Sequence, residues 1–534
     1  MGWKMSTSPH LPQAGRRGGR IPAVVLSGLA GVVMPGRALP PPVPAGEAAQ
    51  WTLIEKMSSD FTERELDRDK FLDFLPLQFF DHGTAQKDLT HHQDALFVPG
   101  NASVADGWLH LAVRKDHPPA AGLTAEYSLP AVSTRCLLRN GYIEIRAVVA
   151  KAAFTSAFWL NKQNTVVRQP LGSPWTLAPY QGGNEIDVFE IGGNSRHFGV
   201  DWSRRNNQNC LVYADLKHPW NGVADDNTNQ LSHTESDLAA TAPAFTEAAH
   251  VFGLEWSDHS LKWYVDGSLQ RETTMADVSW QMSRYNNGRE PERGTGRRFG
   301  GTRFARHLFN LPLQVILNVE YIPMWHGPVD DSALPAAMKV DYLKVWQKRG
   351  TGHELIRHGD FADLSPWSVT MGRGAQGTVR RASGQVLVEV EKAGPEPASI
   401  TLSQTGLALQ PDTAYSLSYE AAATRPHWFW VALREAGGTP IAKYREFIPQ
   451  DGTLANGHTA LYSHTFRTTP QLAGPATISL ELGGLDDPGQ PQDQRRVAMG
   501  SISLRMMRAA PLCMTKPHSP QIYALRDETG KKPE

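Results

Sequence analysis

The chain of 534 residues is too long for one ordinary core, so two or three domains are expected. Its 53 basic and 54 acidic side chains leave a net charge of −1, which excludes bulk electrostatic capture of nucleic acid or of a membrane surface. The cysteines Cys136, Cys210 and Cys513 show neither metal-ligand spacing nor a disulfide framework; a Cys136–Cys210 bridge stays open, and thiol chemistry is not expected.

The chain opens on a targeting pattern. Arg16, Arg17 and Arg20 precede an apolar run from Ile21 to Met34 that is too short to span a bilayer, so residues 1–38 read as a secretory signal. The Arg16-Arg17 pair admits a twin-arginine route, but the residues after it suit an ordinary secretory signal better. A secreted protein, extracellular or periplasmic, is therefore expected. Residues 39–50 are rich in Pro and read as a stiff, extended linker. No later segment reaches the roughly 20 apolar residues of a transmembrane helix.

From residue 51 to residue 349, short β-rich runs alternate with Gly, Asp and Asn turns, and long helical periodicity is absent. Trp108–Arg114, Gly141–Val149, Leu261–Val265 closed by Asp266-Gly267, Leu313–Val319 and Met338–Trp346 predict strands of an all-β sandwich. In Gly141–Val149, Tyr142, Glu144 and Arg146 oppose Ile143, Ile145 and Ala147, which predicts one face in the core and one in a polar cleft.

Asn184-Glu185-Ile186-Asp187-Val188-Phe189-Glu190 interleaves acids with strand formers. Glu185 and Asp187 share a strand face. Glu190 falls on the other face unless a β-bulge between Asp187 and Glu190 adds one residue. With the bulge, the carboxylates crowd one face, at a cost in repulsion and desolvation. Such a cluster suits chemistry in which one acid is raised in pKa beside one left ionised. Two carboxyls about 5–5.5 Å apart are what a retaining glycosidase uses. A solvated strand face, or oxygen ligands for calcium, are the other readings. Further on, Arg284, Arg289, Arg293, Arg297, Arg298, Arg303 and Arg306 sit among Gly, Asn and Pro. They read either as a long solvated loop or as guanidinium forks for anionic groups such as sulfate on a polysaccharide.

A second β-rich stretch covers residues 352–508, with strands at Gln385–Glu391, Ser399–Ser403, Ala414–Ala421, Trp428–Leu433 and Ala476–Leu482, and reads as a smaller β-sandwich of jelly-roll type. Trp428 and Trp430 share a strand face, as a sugar platform or as core. Residues 509–534 are polar and read as a disordered tail.

Several segments now fall in the order of a known family. They are Ser59-Asp60-Phe61 with Leu66-Asp67, Asn101 to Leu109, Arg139 to Glu144, Ala157-Phe158-Trp159-Leu160 and Glu185 to Glu190. They continue with Phe252 to Trp256, Trp263 to Gly267, and Val340-Asp341-Tyr342 with Val345-Trp346. Residues 51–348 resemble glycoside hydrolase family 16, the concanavalin-like β-jelly-roll endo-glycanases of the agarase, porphyranase, carrageenase and laminarinase groups. The resemblance implies Glu185 as nucleophile, Glu190 as general acid/base and Asp187 between them, orienting Glu185. It implies substrate contacts at Trp159, Trp175, His218, Trp220, Glu320 and Trp325, with Trp159 equally readable as core. His326 follows Trp325 where agarases tend to show Arg. Leu355 to Phe361 with Ser365-Pro366-Trp367-Ser368 resembles the opening of carbohydrate-binding modules of families 4 and 9.

The resulting expectation is a secreted, endo-acting retaining glycosidase on a β-linked polysaccharide, preferably a red-algal galactan of the agar, porphyran or carrageenan type. A laminarinase-type β-1,3-glucanase is the alternative within enzymes, and a non-catalytic polysaccharide binder the alternative outside them. The binder should have lost an acid, and none is missing. No cofactor is required, a structural calcium is allowed for, and a monomer without nucleic-acid or membrane partners is expected.

Overall fold

Short runs of β-branched and aromatic residues between turn residues favour strands, and among the described residues nearly every element is one. The computed structural model describes residues 48–73, 95–120, 123–161, 183–194, 196–213, 229–274, 311–382, 384–448, 459–485 and 491–507. The segments expected to be a signal (1–38), the Pro-rich part of a linker and a tail (509–534) lie outside the described residues. The linker's last residues, Ala48–Gln50, form a helical turn, and Trp51–Leu53 then pairs with the strand that ends at Lys348. Asp106-Gly107 and Asp266-Gly267 close two-residue hairpins with positive φ at both positions (54° and 76°, 48° and 74°), a conformation Gly adopts without steric cost.

Six strands carry the functional argument: β1 (Leu137–Arg139), β2 (Thr155–Asn161), β3 (Gly183–Gly192), β4 (Arg205–Tyr213), β5 (Gln314–Glu320) and β6 (Ala460–Arg467). A seven-stranded sheet runs Asn229–Asp237, β4, β3, β2, β5, Ala131–Thr134, Phe71–Leu72. A ten-stranded sheet faces it, with Gly141–Val148 between His250–Trp256 and Ala336–Lys348. Between them lies one apolar core that includes Ile143, Ile145, Phe158, Leu160, Ile186, Phe189, Phe252, Leu254, Trp263 and Val340.

A second sandwich follows. Its six-stranded sheet runs β1, β6, Ala414–Ala423, Arg495–Met506, Gln385–Lys392, Gln376–Ala382. Its five-stranded sheet runs Ser368–Met371, Ile400–Leu407, Ala476–Glu481, His427–Arg434, Pro440–Ile448. The strand β1 comes from the first stretch of the chain. The connection at 349–353 is short and bonded: Arg349 N donates to Gln50 O at 2.6 Å and Gly352 N to Met506 O at 3.0 Å.

One expectation needs correction. Gly141–Val148 does not line the acid-bearing sheet; it belongs to the opposite one, and Tyr142 and Glu144 are buried on its outer side. There Tyr142 and Tyr342 each donate to Glu144 at 2.8 Å, and Trp51 and Trp346 pack on Tyr142. Alternation reports that one face is apolar but not what covers the other. The bridge that the sequence left open is not formed: Cys136 and Cys210 are both buried and not joined by a disulfide, and burial pushes the Cys210 thiol up to about 12. Among the described residues no helix is long and apolar enough to cross a membrane.

Candidate active site

The parity of the acids changes on β3. Against β2, Glu185 lies opposite Asn161, Asp187 opposite Trp159, Phe189 opposite Phe158 and Glu190 opposite Ala157. Val188 has no opposite number, so Val188 and Phe189 both turn into the core, where they are buried. Asn161, Trp159 and Ala157 alternate along one face of β2, so Glu185, Asp187 and Glu190 share that face. On the other side, β4 sets Asn209 opposite Asp187 and Asn207 opposite Glu190, which again leaves one extra residue on β3. A single bulge aligns the acids. Beneath it, the indole N–H of Trp263, reaching from the opposite sheet, donates to the Asp187 carbonyl at 2.9 Å.

Asparagine amides frame the row. Asn161 Nδ2 donates to Glu185 Oε2 at 2.7 Å and Asn209 Nδ2 to Glu190 Oε2 at 2.9 Å. Asn318 Nδ2 donates to Glu320 Oε1 at 2.6 Å, and Trp159 Nε1 in turn donates to Asn318 Oδ1 at 2.8 Å. Glu320 joins the same face, because Thr155 of β2 lies opposite both Glu320 and Gly192, one pair beyond Ala157 and Glu190.

Crowded, desolvated carboxyls hold their protons. Burial first, then the charges of Glu185 and Glu190, raise Asp187 well above the usual carboxylate range. Burial, then Glu320 and Glu185, push Glu190 up to about 8, with the Asn209 hydrogen bond acting against the shift. Burial pushes Glu320 up to about 7. A carboxyl pushed to about 8, as that of Glu190 is, still mostly carries its proton at neutral pH and can give it to a leaving oxygen.

Trp159 lies on the acid-bearing face but is buried, and it acts on Asn318 rather than lying open as a platform. Trp325, on the single helical turn Pro323–His326, is 39% exposed. Trp175, His218, Trp220 and the arginines from Arg284 to Arg306 lie outside the described residues. Sequence reasoning passed over Asn161, Asn209 and Asn318, and took Trp263 only as part of a family segment and His326 only as a departure from agarases. The alternation of Asn207 with Asn209 and of Asn318 with Glu320 was a signal, since Asn is depleted in strands and needs a reason there. His326 packs on Gly192, where a Cβ would overlap its ring, and both its ring nitrogens lack hydrogen-bond partners among the described residues. Burial, with His197 nearby, lowers its pKa to about 4, so the ring is neutral at neutral pH. Among the described residues no group of His, Cys, Asp and Glu is arranged to hold a metal ion.

The Asn209 contact has a testable consequence. Its amide stabilises the ionised form of Glu190, so its removal raises the pKa further. Asn209→Ala is expected to move the alkaline limb of kcat/KM to higher pH. A limb that stays in place or moves down rules out Glu190 as the titrating acid.

Comparison with protein families matches residues 51–348 to the GH16 domain of β-porphyranases A–D. A β-glucanase of Rhodothermus marinus is 27% identical over 274 residues, which are 50% of this chain and 76% of that protein. β-Porphyranase C of Zobellia galactanivorans is 24% identical over 255 residues, 43% of this chain and 66% of that protein. A β-1,3-glucan-binding protein of Penaeus monodon is 24% identical over 241 residues, 40% of this chain and 60% of that protein.

Proposed function

The chain belongs, through residues 51–348, to the GH16 domain family of β-porphyranases A–D, and on that premise we propose that it is a secreted, endo-acting retaining hydrolase of a red-algal galactan. That it is a glycoside hydrolase follows from the family. The substrate and the residue roles are our reading, and the bulged register of β3, which gathers Glu185, Asp187 and Glu190 on one face, is the observation that carries it.

In this reading the Glu185 carboxylate, held by Asn161, attacks the anomeric carbon while Glu190 gives its proton to the departing glycosidic oxygen. The bond to the leaving sugar breaks as the ester to Glu185 forms. Glu190, now ionised, takes a proton from water, and the hydroxide equivalent displaces Glu185 by attack on the face that the leaving sugar vacated, so two inversions retain the configuration. Asp187, protonated between the two, shields Glu185 from Glu190 and holds it in line. Glu320 and Trp325, with Trp175, His218 and Trp220, are assigned to the sugar on either side, while the buried Trp159 positions Asn318. The chemistry as written calls for no cofactor, and we take the chain to act as a monomer. The C-terminal sandwich is read as a polysaccharide-binding module, with the half-buried Trp430, over which Lys443 lies at 4.2 Å, as the candidate contact.

The galactan reading is supported by the porphyranase type of the matched family. The β-glucanase likeness, the highest in identity of those described above, favours a laminarinase-type β-1,3-glucanase as the second reading. Reducing-sugar release from agarose, porphyran, κ-carrageenan, laminarin and lichenan separates them. Porphyran or another red-algal galactan is expected to yield the highest kcat/KM, and release from laminarin alone reverses the choice. A chain that binds these polymers and cleaves none would return the binder reading.

A further inference from the structure

By chain position β1 belongs to the N-terminal sandwich, between Ala131–Thr134 and Gly141–Val148. Its main partner is in the other sandwich. It pairs in parallel with β6: Leu137 with Ala460, Leu138 with Leu461 and Arg139 with Tyr462. On its opposite side, Leu138 exchanges two backbone hydrogen bonds of 2.8 Å with Leu313, the residue just before β5. One three-residue segment is therefore bonded to both sandwiches, and without it β6 would be an open sheet edge of unpaired donors and acceptors.

The side chains follow the pairing. Leu137 is fully buried in the C-terminal core. Arg139, 2% exposed, donates to Asp258 at 3.0 Å and lies 3.7 Å from Glu446. His464 spans the same two acids, at 3.1 Å from Asp258 and 3.3 Å from Glu446, with Tyr444 stacked on its ring at 3.9 Å. Asn140 donates to Asp258 and to Ser463 O, both at 2.8 Å. In the other direction Trp428, Phe447 and Leu461 pack into the N-terminal core. Buried charges are costly unless each finds its partner, and here the partners come from both sandwiches.

We propose that the C-terminal sandwich is a working part of the hydrolase rather than a tethered accessory: its open edge takes up β1 of the same chain, and through Leu138 and Leu313 that pairing sets the position of β5, which carries Asn318 and Glu320. A tethered binder raises the local substrate concentration and leaves the cleft unchanged. A shared strand makes the cleft floor depend on the fold of the module. Arg139 is then a positioning residue, acting on Glu190 through β5 and Glu320. The kinetic part of this inference rests on the hydrolase reading, and the association part does not.

The test begins from the full chain with a protease recognition sequence inserted at the exposed Thr351. After cleavage the two halves are expected to co-elute in size-exclusion chromatography and to unfold in one calorimetric transition. Halves that separate without denaturant, or that melt independently, overturn the proposal. In the uncut chain, Arg139→Met is expected to lower kcat roughly tenfold on a soluble oligosaccharide with little change in KM, as a small misplacement in a preorganised site does. It should also shift the alkaline limb of the pH profile, with Arg139→Lys restoring part of both. An Arg139→Met enzyme that keeps its kcat and pH profile overturns the positioning role even if the halves stay together. Should Arg139→Met fail to fold, the cleaved wild-type chain still decides the association, and its kcat and pH profile after cleavage decide the coupling.

Discussion

Glu185→Gln is expected to abolish turnover, with kcat lower by roughly 10⁴-fold or more, as when the nucleophile of a covalent mechanism is removed. The replacement is isosteric, and its carbonyl can accept the Asn161 amide that Glu185 Oε2 accepts at 2.7 Å, so the frame survives. What is lost is the negative charge and the lone pair that would form the glycosyl ester. Affinity electrophoresis in the polysaccharide should show binding within about twofold of wild type, since uniform binding does not depend on the attacking group. Residual turnover within tenfold of wild type would remove Glu185 from the nucleophile's role and, with it, the retaining mechanism.

Glu190→Gln carries the second large effect and has two readouts. Loss of an acid/base residue costs typically 10²–10⁴-fold, so kcat on polysaccharide should fall by about 10³. The wild-type rate should decline above about pH 8 as Glu190 loses its proton, and the variant should lack that limb. Stability gives the independent sign. Glu190 and Glu320 titrate at about 8 and about 7 in the folded protein against 4.5 ordinarily, so the fold holds protons that the unfolded chain has released. Their contribution is complete below pH 4.5 and is lost as pH rises toward 8. Glu190→Gln removes one such group, and its melting temperature should fall less steeply than that of wild type from pH 5 to pH 8. Parallel curves would mean that Glu190 titrates normally and cannot serve as the acid.

Much of the acid strand was legible because its signals are local. Glu185 and Asp187 share a face by the two-residue period of a strand, and Glu190 sits out of phase, so either it points into the core or the strand bulges. Val188 and Phe189 are apolar and β-favouring, and both can turn inward together. The polar frame was harder to read. Asn161, Asn209 and Asn318 come from three different strands, and nothing in their local sequence says which acid each will meet. His326 and Gly192, far apart in the chain, come together only in the fold.

By itself the sequence determined the all-β class, the positions of most strands and the acid triplet, because alternation, turn residues and spacing are properties of a few consecutive residues. Tertiary structure decided which sheet Gly141–Val148 joins, that Trp159 is buried, how far Glu190 and Glu320 are pushed toward protonation, and that Leu137 pairs with Ala460. Each of these depends on groups brought together from distant parts of the chain. Desolvation and cross-strand pairing are set by those neighbours, and no local period encodes them.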